Sequence, residues 1–118
     1  MDKGWYDGIA EGVRLQSTAD DEGGTWVLFL DEDRRPVNAM ALPPEELGPL
    51  ELDGLAQVVD DVDAPAVIVA VPRSDGQPRA EDWRLWEEFR NRMAVARPEL
   101  IDLVVVGEQS WWAAVGAT

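Results

Sequence analysis

The sequence predicts a mixed α/β fold, in which one mixed β-sheet is flanked by two helices. Short β-prone apolar runs recur along the chain, one long segment carries apolar residues at three- and four-residue spacing, and turn residues separate these segments. Strands that follow each other directly predict hairpins, and strands separated by helices predict crossovers, so the sheet should be mixed. With 118 residues, the chain is expected to form a single domain, residues 1–118.

The N-terminal third is expected to supply the first three strands. Residues 1–10 are polar and glycine-rich apart from three larger apolar side chains, which predicts an arm. Residues 11–17 alternate apolar and polar side chains, which predicts a short half-exposed strand at the start of a core spanning 11–118. Residues 25–30 are β-prone at nearly every position, and residues 37–42 return after a polar turn. These two runs predict a hairpin.

The rest of the chain is expected to hold two helices and three strands. Residues 43–62 begin with a proline pair and two glutamates, which favour the first turn of a helix. Residues 66–71 form a continuous apolar run, typical of a strand buried on both faces. Helical spacing predicts a helix over 79–96, and apolar runs predict strands over 100–106 and 111–115. The predicted order is β-β-β-α-β-α-β-β.

Composition excludes several classes of function. Ten basic residues against 24 acidic ones give a net charge of -14, which repels phosphate backbones and anionic membrane surfaces, so no nucleic-acid partner is expected. No apolar run is long enough to cross a bilayer, and no signal peptide is visible. The chain has neither cysteine nor histidine. These features predict a cytoplasmic protein without disulfides, catalytic thiols or cofactors.

Three stretches together resemble the JAMM/MPN (cytidine-deaminase-like) family, and more narrowly its bacterial RadC-like branch. Residues 27–31 are similar to an early strand that ends in Leu-Asp, and residues 66–82 to an apolar strand followed by a Pro-containing loop and an acidic helix start. Residues 104–113 are similar to a closing Val-Val-Gly hairpin with an aromatic residue. The resemblance covers roughly residues 25–115 and implies the fold of that family.

The same resemblance identifies where a zinc site would lie and shows that its ligands are missing. The family pattern, His-x-His followed after seven residues by Ser-x-x-Asp, aligns with Val69, Val71, Arg79 and Asp82. In active members the two histidines and the aspartate bind zinc, whose fourth position holds the reactive water. Valine has no lone pair to offer a metal. The resemblance therefore implies a degenerate site with no metal and no catalytic residue.

Two further details bear on this degenerate site. The glutamate that activates water in active members would lie near residues 39–41, which read Ala-Met-Ala. Asp82 is expected to be structural, at the positive end of a helix dipole. Arg79 is expected to pair with Asp82 or Glu81 and so fill the old pocket.

Six tryptophans are many for a chain of this length, and tryptophan is common both in cores and in interface hot spots. Three fit core positions, namely Trp26, Trp83 and Trp86. Trp111 and Trp112 are neighbours in a predicted strand and must point to opposite faces. Together with Trp5 in the arm, they are candidate interface residues. At least one of Trp111 and Trp112 is expected to be covered by the N-terminal arm or by another chain.

These observations predict a non-catalytic, metal-free interaction or scaffold module of JAMM/MPN-like fold, whose partner is another protein or a second copy of itself. An alternative is an acidic inhibitor, immunity-type protein or DNA mimic that blocks a basic surface. Salt separates the two hypotheses, because binding through charge weakens with salt and binding through tryptophan does not. A third hypothesis, an enzyme that reuses the emptied pocket, has no residue in its favour.

Overall fold

A computed structural model describes residues 2–16, 24–42, 49–94 and 96–116 of the chain. Five strands form one sheet with the order β2-β1-β3-β4-β5, in which β3 and β4 are parallel and the other neighbours are antiparallel. The strands are β1 Thr25–Leu30, β2 Pro36–Leu42, β3 Ala66–Pro72, β4 Glu99–Val106 and β5 Trp111–Ala113. The helices are α1 Lys3–Gln16, α2 Pro49–Asp61 and α3 Ala80–Met93.

The mixed sheet is confirmed, but the N-terminal segment differs from the prediction. The expected arm 1–10 and the expected strand 11–17 are both wrong, because Lys3–Gln16 form one helix; residue 17 lies outside the described residues. The order of the described elements is therefore α-β-β-α-β-α-β-β, with three helices instead of two. The first part of the helix predicted over 43–62 also lies outside the described residues, and α2 is observed from Pro49.

Each face of the sheet carries its own apolar core. One face packs against α2 and α3 through residues that include Val27, Phe29, Leu52, Val59 and Phe89. The opposite face packs against α1, whose inward side chains are Tyr6, Ile9, Ala10 and Val13. Their spacing, i, i+3, i+4 and i+7, is that of one helical face. The central strand β3 is buried on both faces along its whole length, as its continuous apolar sequence predicts.

The inward face of α3 explains one wrong assignment among the tryptophans. Its buried residues are Asp82, Trp86, Phe89 and Met93. Trp83 lies beside this row and is 45% exposed, so its assignment to the core is wrong. Trp86 is buried as expected, and Trp26 is partly buried against the core on the α1 face.

Candidate functional site

The two positions that the resemblance aligned with zinc-binding histidines lie on the central strand. Val69 and Val71 of β3 are both buried and pack in the core between the sheet and α3. Their parallel neighbours on β4 are Leu103 and Val105. Both side chains thus belong to an apolar layer, which offers no ligand to a cation. Within the described part of the chain, no group of three or more acidic side chains is arranged to hold a metal ion.

Asp82, in the first turn of α3, forms a buried ion pair with Arg73. The side chains of Arg73 and Asp82 are 8% and 4% exposed. The guanidinium forms a two-pronged contact, in which Nη2 donates to Oδ1 at 2.9 Å and Nη1 donates to Oδ2. The hydrogen bond to Asp82 raises the pKa of Arg73, against the opposing effect of burial. Arg73 follows β3 directly, so this pair ties the end of that strand to the start of α3.

Arg79 plays a different part from the one the sequence suggested. Its side chain lies at the surface, 3.7 Å from Asp75, and the pairing expected with Asp82 or Glu81 is wrong. Its backbone N–H instead donates to Asp82 Oδ2 at 2.7 Å, which caps the first turn of α3. The exposed carboxyl of Asp75 accepts a hydrogen bond from the backbone N–H of Gln77, and this bond lowers the pKa of Asp75.

The carboxyl ends of β3 and β4, where parallel sheets usually bind ligands, are closed by backbone contact. Gly76 has a φ of 64°, and a Cβ there would lie 2.5 Å from Ser110 Oγ. A Cβ on Gly107 would lie 2.6 Å from the Cα of Gly76. Arg14 of α1 holds the same turn, since its Nε donates to the carbonyl of Gly107 at 2.7 Å. The loop after β3 and the turn after β4 therefore touch with no room between them for a side chain.

Trp111 and Trp5 are both anchored by groups of the same chain. The Trp111 ring stacks on Tyr6 of α1 with centroids 4.8 Å apart, and its Nε1 donates to Asp7 Oδ1 at 2.7 Å. Trp5 Nε1 donates to the carbonyl of Arg34 at 2.7 Å. The N-terminal segment thus lies against Trp111, but as an ordered helix and not as an arm.

Trp112 faces the opposite side of the sheet and meets Trp83 of α3. The two rings pack edge to face with centroids 4.9 Å apart. Trp112 is only partly buried against the core, and nearly half of Trp83 is exposed. Together they form a two-indole surface, defined here as Trp83 and Trp112, beside the short edge strand β5. The sequence pointed to Trp112 but not to Trp83.

A second buried carboxylate, Asp102 of β4, was missed from the sequence. It is fully buried, and its Oδ2 accepts a hydrogen bond from the Tyr6 hydroxyl at 2.6 Å. The backbone N–H groups of Leu103, Val115 and Gly116 donate to the same carboxylate at 2.7–3.0 Å. Burial, followed by this bond to Asp102, raises the pKa of Tyr6. The available signal was a lone charged residue inside the apolar run 100–106.

No family model matches the chain, and no curated protein is significantly similar to it. Among the described residues, no helix is both long enough and apolar enough to span a membrane.

Proposed function

We propose that this protein is a non-catalytic, metal-free protein-interaction or scaffold module of the bacterial cytoplasm, with a degenerate JAMM/MPN-like fold of the RadC-like branch. The two-indole surface is the observation that carries the interaction. Tryptophan is the side chain most enriched in interface hot spots, because it removes a large apolar area from water when a partner covers it. Trp83 is 45% exposed, although Asp82 before it and Trp86 on the next turn of the same helix are buried.

The loss of catalysis is supported by what stands at the corresponding positions. Val69 and Val71 are part of the apolar core, and Asp82 is fully engaged by Arg73 and by the N–H of Arg79. An aspartate held in this way serves the join between β3 and α3. A zinc-bound water would need an open coordination position in a cleft, and here the neighbouring loops meet backbone to backbone.

Capture from an extract of the source organism tests the proposal. The bait is the wild-type chain, and the variant is the double substitution Trp83→Ala/Trp112→Ala. The matched control is Trp5→Phe, which alters an indole that bonds to Arg34 of its own chain. We expect a protein that is retained by the wild type and by the control, is lost with the double variant, and stays bound in high salt.

The acidic-inhibitor alternative gives a different pattern in the same experiment. A basic partner held by the net charge of -14 would be released by salt and would still bind the double variant. That pattern would replace the tryptophan-centred proposal by the alternative. Equal capture by the wild type and the double variant in high salt would place the interface elsewhere. The double variant must first show the wild-type circular dichroism spectrum.

A further inference from the structure

The second edge of the sheet is strand β2, which carries no charge although the chain as a whole is strongly acidic. Among the described strands, β2 pairs with β1 on one side and has no neighbour on the other. Its seven residues, Pro-Val-Asn-Ala-Met-Ala-Leu, include no charge, although 29% of the chain is charged. Edge strands of this length are normally protected by charged side chains, because an unpaired row of N–H and C=O groups invites another strand. Among the described residues, the protection consists of Pro36, a bulge next to it and the side chain of Asn38, which accepts a hydrogen bond from the Ala39 N–H.

The uncharged surface extends beyond the strand into a groove. An open groove of about 440 Å³ lies between α1 and the first two strands. All ten lining residues are uncharged, among them Gly8, Gly12, Trp26 and Val37. The side chain of Val37 is 64% exposed at this site. A Cβ on Gly8 or Gly12 would meet no atom within 4 Å, so contacts within one chain do not require glycine there.

The backbone of β2 shows which groups face outward. Ala39 N–H donates to the side-chain Oδ1 of Asn38 at 2.9 Å, so this N–H points away from β1. Because outward and inward residues alternate in an antiparallel pair, Ala41 shares this orientation. The pairing of β2 with β1 is regular from Asn38 to Leu42 and breaks at Val37. The regular stretch is centred on Met40, with Ala39 and Ala41 on either side.

We propose that this edge binds a second copy of the chain, with the two β2 strands antiparallel about a two-fold axis at Met40. Ala39 of one copy then lies opposite Ala41 of the other, and each such pair exchanges both N–H···O bonds. The facing side chains on the α1 side are small, so the backbones can approach without a clash. An isologous contact of this kind is self-complementary by symmetry.

The net charge of the chain makes self-association more favourable at this uncharged edge than at the acidic parts of its surface. Two chains of net charge -14 repel each other wherever their acidic surfaces meet. Among the described residues, β2 and the lining of its groove carry no charge, so two copies can meet there without bringing these parts of their surfaces into repulsion. A single strand pair buries little area, so the dimer should be weak and should depend on concentration. Added salt should strengthen it, because salt screens the repulsion between the remaining surfaces.

Sedimentation velocity over a range of protein and salt concentrations tests this proposal. The average mass of the wild type should rise from 13.1 kDa towards twice that value as the concentration of protein or of salt rises. Ala41→Lys places a charge at the β2 edge and should abolish this rise in mass. A lower net negative charge alone would instead favour association, so the loss would be due to the position of the charge. Val58→Lys, at an exposed position of α2, makes the same change of charge elsewhere and should leave the dimer intact. Asn38→Ala frees the Ala39 N–H and should tighten the dimer.

Hydrogen exchange identifies the edge independently of any variant. The amides of Ala39 and Ala41 should exchange more slowly as the wild-type concentration rises, while exposed amides of α2 stay unchanged. A wild type that remains monomeric under all conditions would overturn the proposal, and so would a dimer that Ala41→Lys leaves unaffected. The inference does not depend on the two-indole surface. Its failure leaves capture through Trp83 and Trp112 standing, and failed capture leaves this dimer standing.

Discussion

Asp82 and Asp102 are both buried carboxylates, but they are satisfied by different kinds of donor. Asp82 is held mainly by the guanidinium of Arg73, which is itself buried. Asp102 is held by the neutral hydroxyl of Tyr6 and by three backbone N–H groups. Substitution can remove both partners of the first arrangement together. In the second, the backbone donors remain whatever side chain replaces Asp102, so that carboxylate should be harder to replace.

The largest effect is expected from Arg73→Met, which leaves the Asp82 carboxylate buried without its cation. Breaking a buried ion pair on one side costs about 3–5 kcal/mol of unfolding free energy. Urea denaturation measures the loss. The matched control is Arg79→Met, since that side chain is 54% exposed and its partner lies 3.7 Å away. The control should change stability by about 0–1 kcal/mol. Equal losses in the two variants would mean that Asp82 does not depend on Arg73.

The double variant Arg73→Met/Asp82→Leu sharpens the comparison. Replacing both members of a buried pair by apolar side chains is often close to neutral. We expect the double variant to recover most of the stability lost in Arg73→Met. A deficit of about 1 kcal/mol should remain, because the N–H of Arg79 loses its cap. A double variant as unstable as the single one would show that the pair cannot be replaced.

A smaller loss, about 2–3 kcal/mol, is expected from Asp102→Asn, because one oxygen becomes an NH₂ that faces other donors. Denaturation again measures it. Here the paired substitution Tyr6→Phe/Asp102→Leu should not restore stability, since the N–H groups of Leu103, Val115 and Gly116 lose their acceptor. If the double variant regained the stability lost in Asp102→Asn, Asp102 would be as replaceable as Asp82, contrary to our expectation.

Among the single substitutions that break a buried contact, the smallest effect is expected from Tyr6→Phe, which removes one donor from Asp102 and keeps the ring against Trp111. A hydrogen bond to a charged group contributes about 1.5–3 kcal/mol, and three backbone donors remain, so the loss should lie near the lower end. Chemical denaturation at neutral pH measures it.

The pH dependence of stability gives the same residue a second test. The pKa of Tyr6 is raised in the folded state, so folding favours the protonated phenol. The contribution of Tyr6 to the free energy of unfolding is therefore complete below pH 10.0, the ordinary pKa of tyrosine. It is lost as the pH rises towards the pKa that Tyr6 has in the folded protein. Tyr6 is the single tyrosine of the chain, so phenolate absorbance reports its titration directly. If Tyr6→Phe lost as much stability at alkaline pH as the wild type does, the alkaline loss would be due to a group other than Tyr6.

Much of the sheet could be predicted from the sequence, because its pattern is local. The β1 prediction agrees with Thr25–Leu30 at both ends, and β3 and β4 differ from their predicted ranges by one residue. Continuous Val, Ile and Leu runs specify such strands without tertiary information. The helix α3 was also identified, although its predicted end at residue 96 passes the observed end at Met93.

The N-terminal helix could not be predicted from composition alone. Gly4, Gly8 and Gly12 each weaken a helix by roughly 0.5–1 kcal/mol relative to alanine, so the segment looks irregular. The helical spacing of its buried side chains, Tyr6, Ile9, Ala10 and Val13, was the stronger signal. Its stability comes from packing on the sheet, which sequence propensity does not report.

The position of Asp82 in the first turn of a helix was predicted, but its contacts were not. Spacing aligned Asp82 with a helix start, which the structure confirms, yet its partner proved to be Arg73 and not Arg79. Both arginines lie near Asp82 in sequence, and the choice between them depends on which one the loop turns inward. The close approach of Gly76 and Gly107 sets that loop, and it joins parts of the chain that are distant in sequence.

The bond between Tyr6 and Asp102 also constrains the order in which the chain can fold during synthesis. These residues are 96 positions apart, and the other donors to Asp102 come from residues synthesised still later. Helix α1 leaves the ribosome before any of the strands, but the strand surface that covers it is complete only once β4 and β5 have followed. Until then its face of Tyr6, Ile9 and Val13 can pack only on the part of the surface that β1 and β3 supply, without Val104, Val106 and Ala113. Helix α1 should therefore settle only after β4, which follows it by more than 80 residues, and nascent chains stalled before β4 should present its apolar face to chaperones.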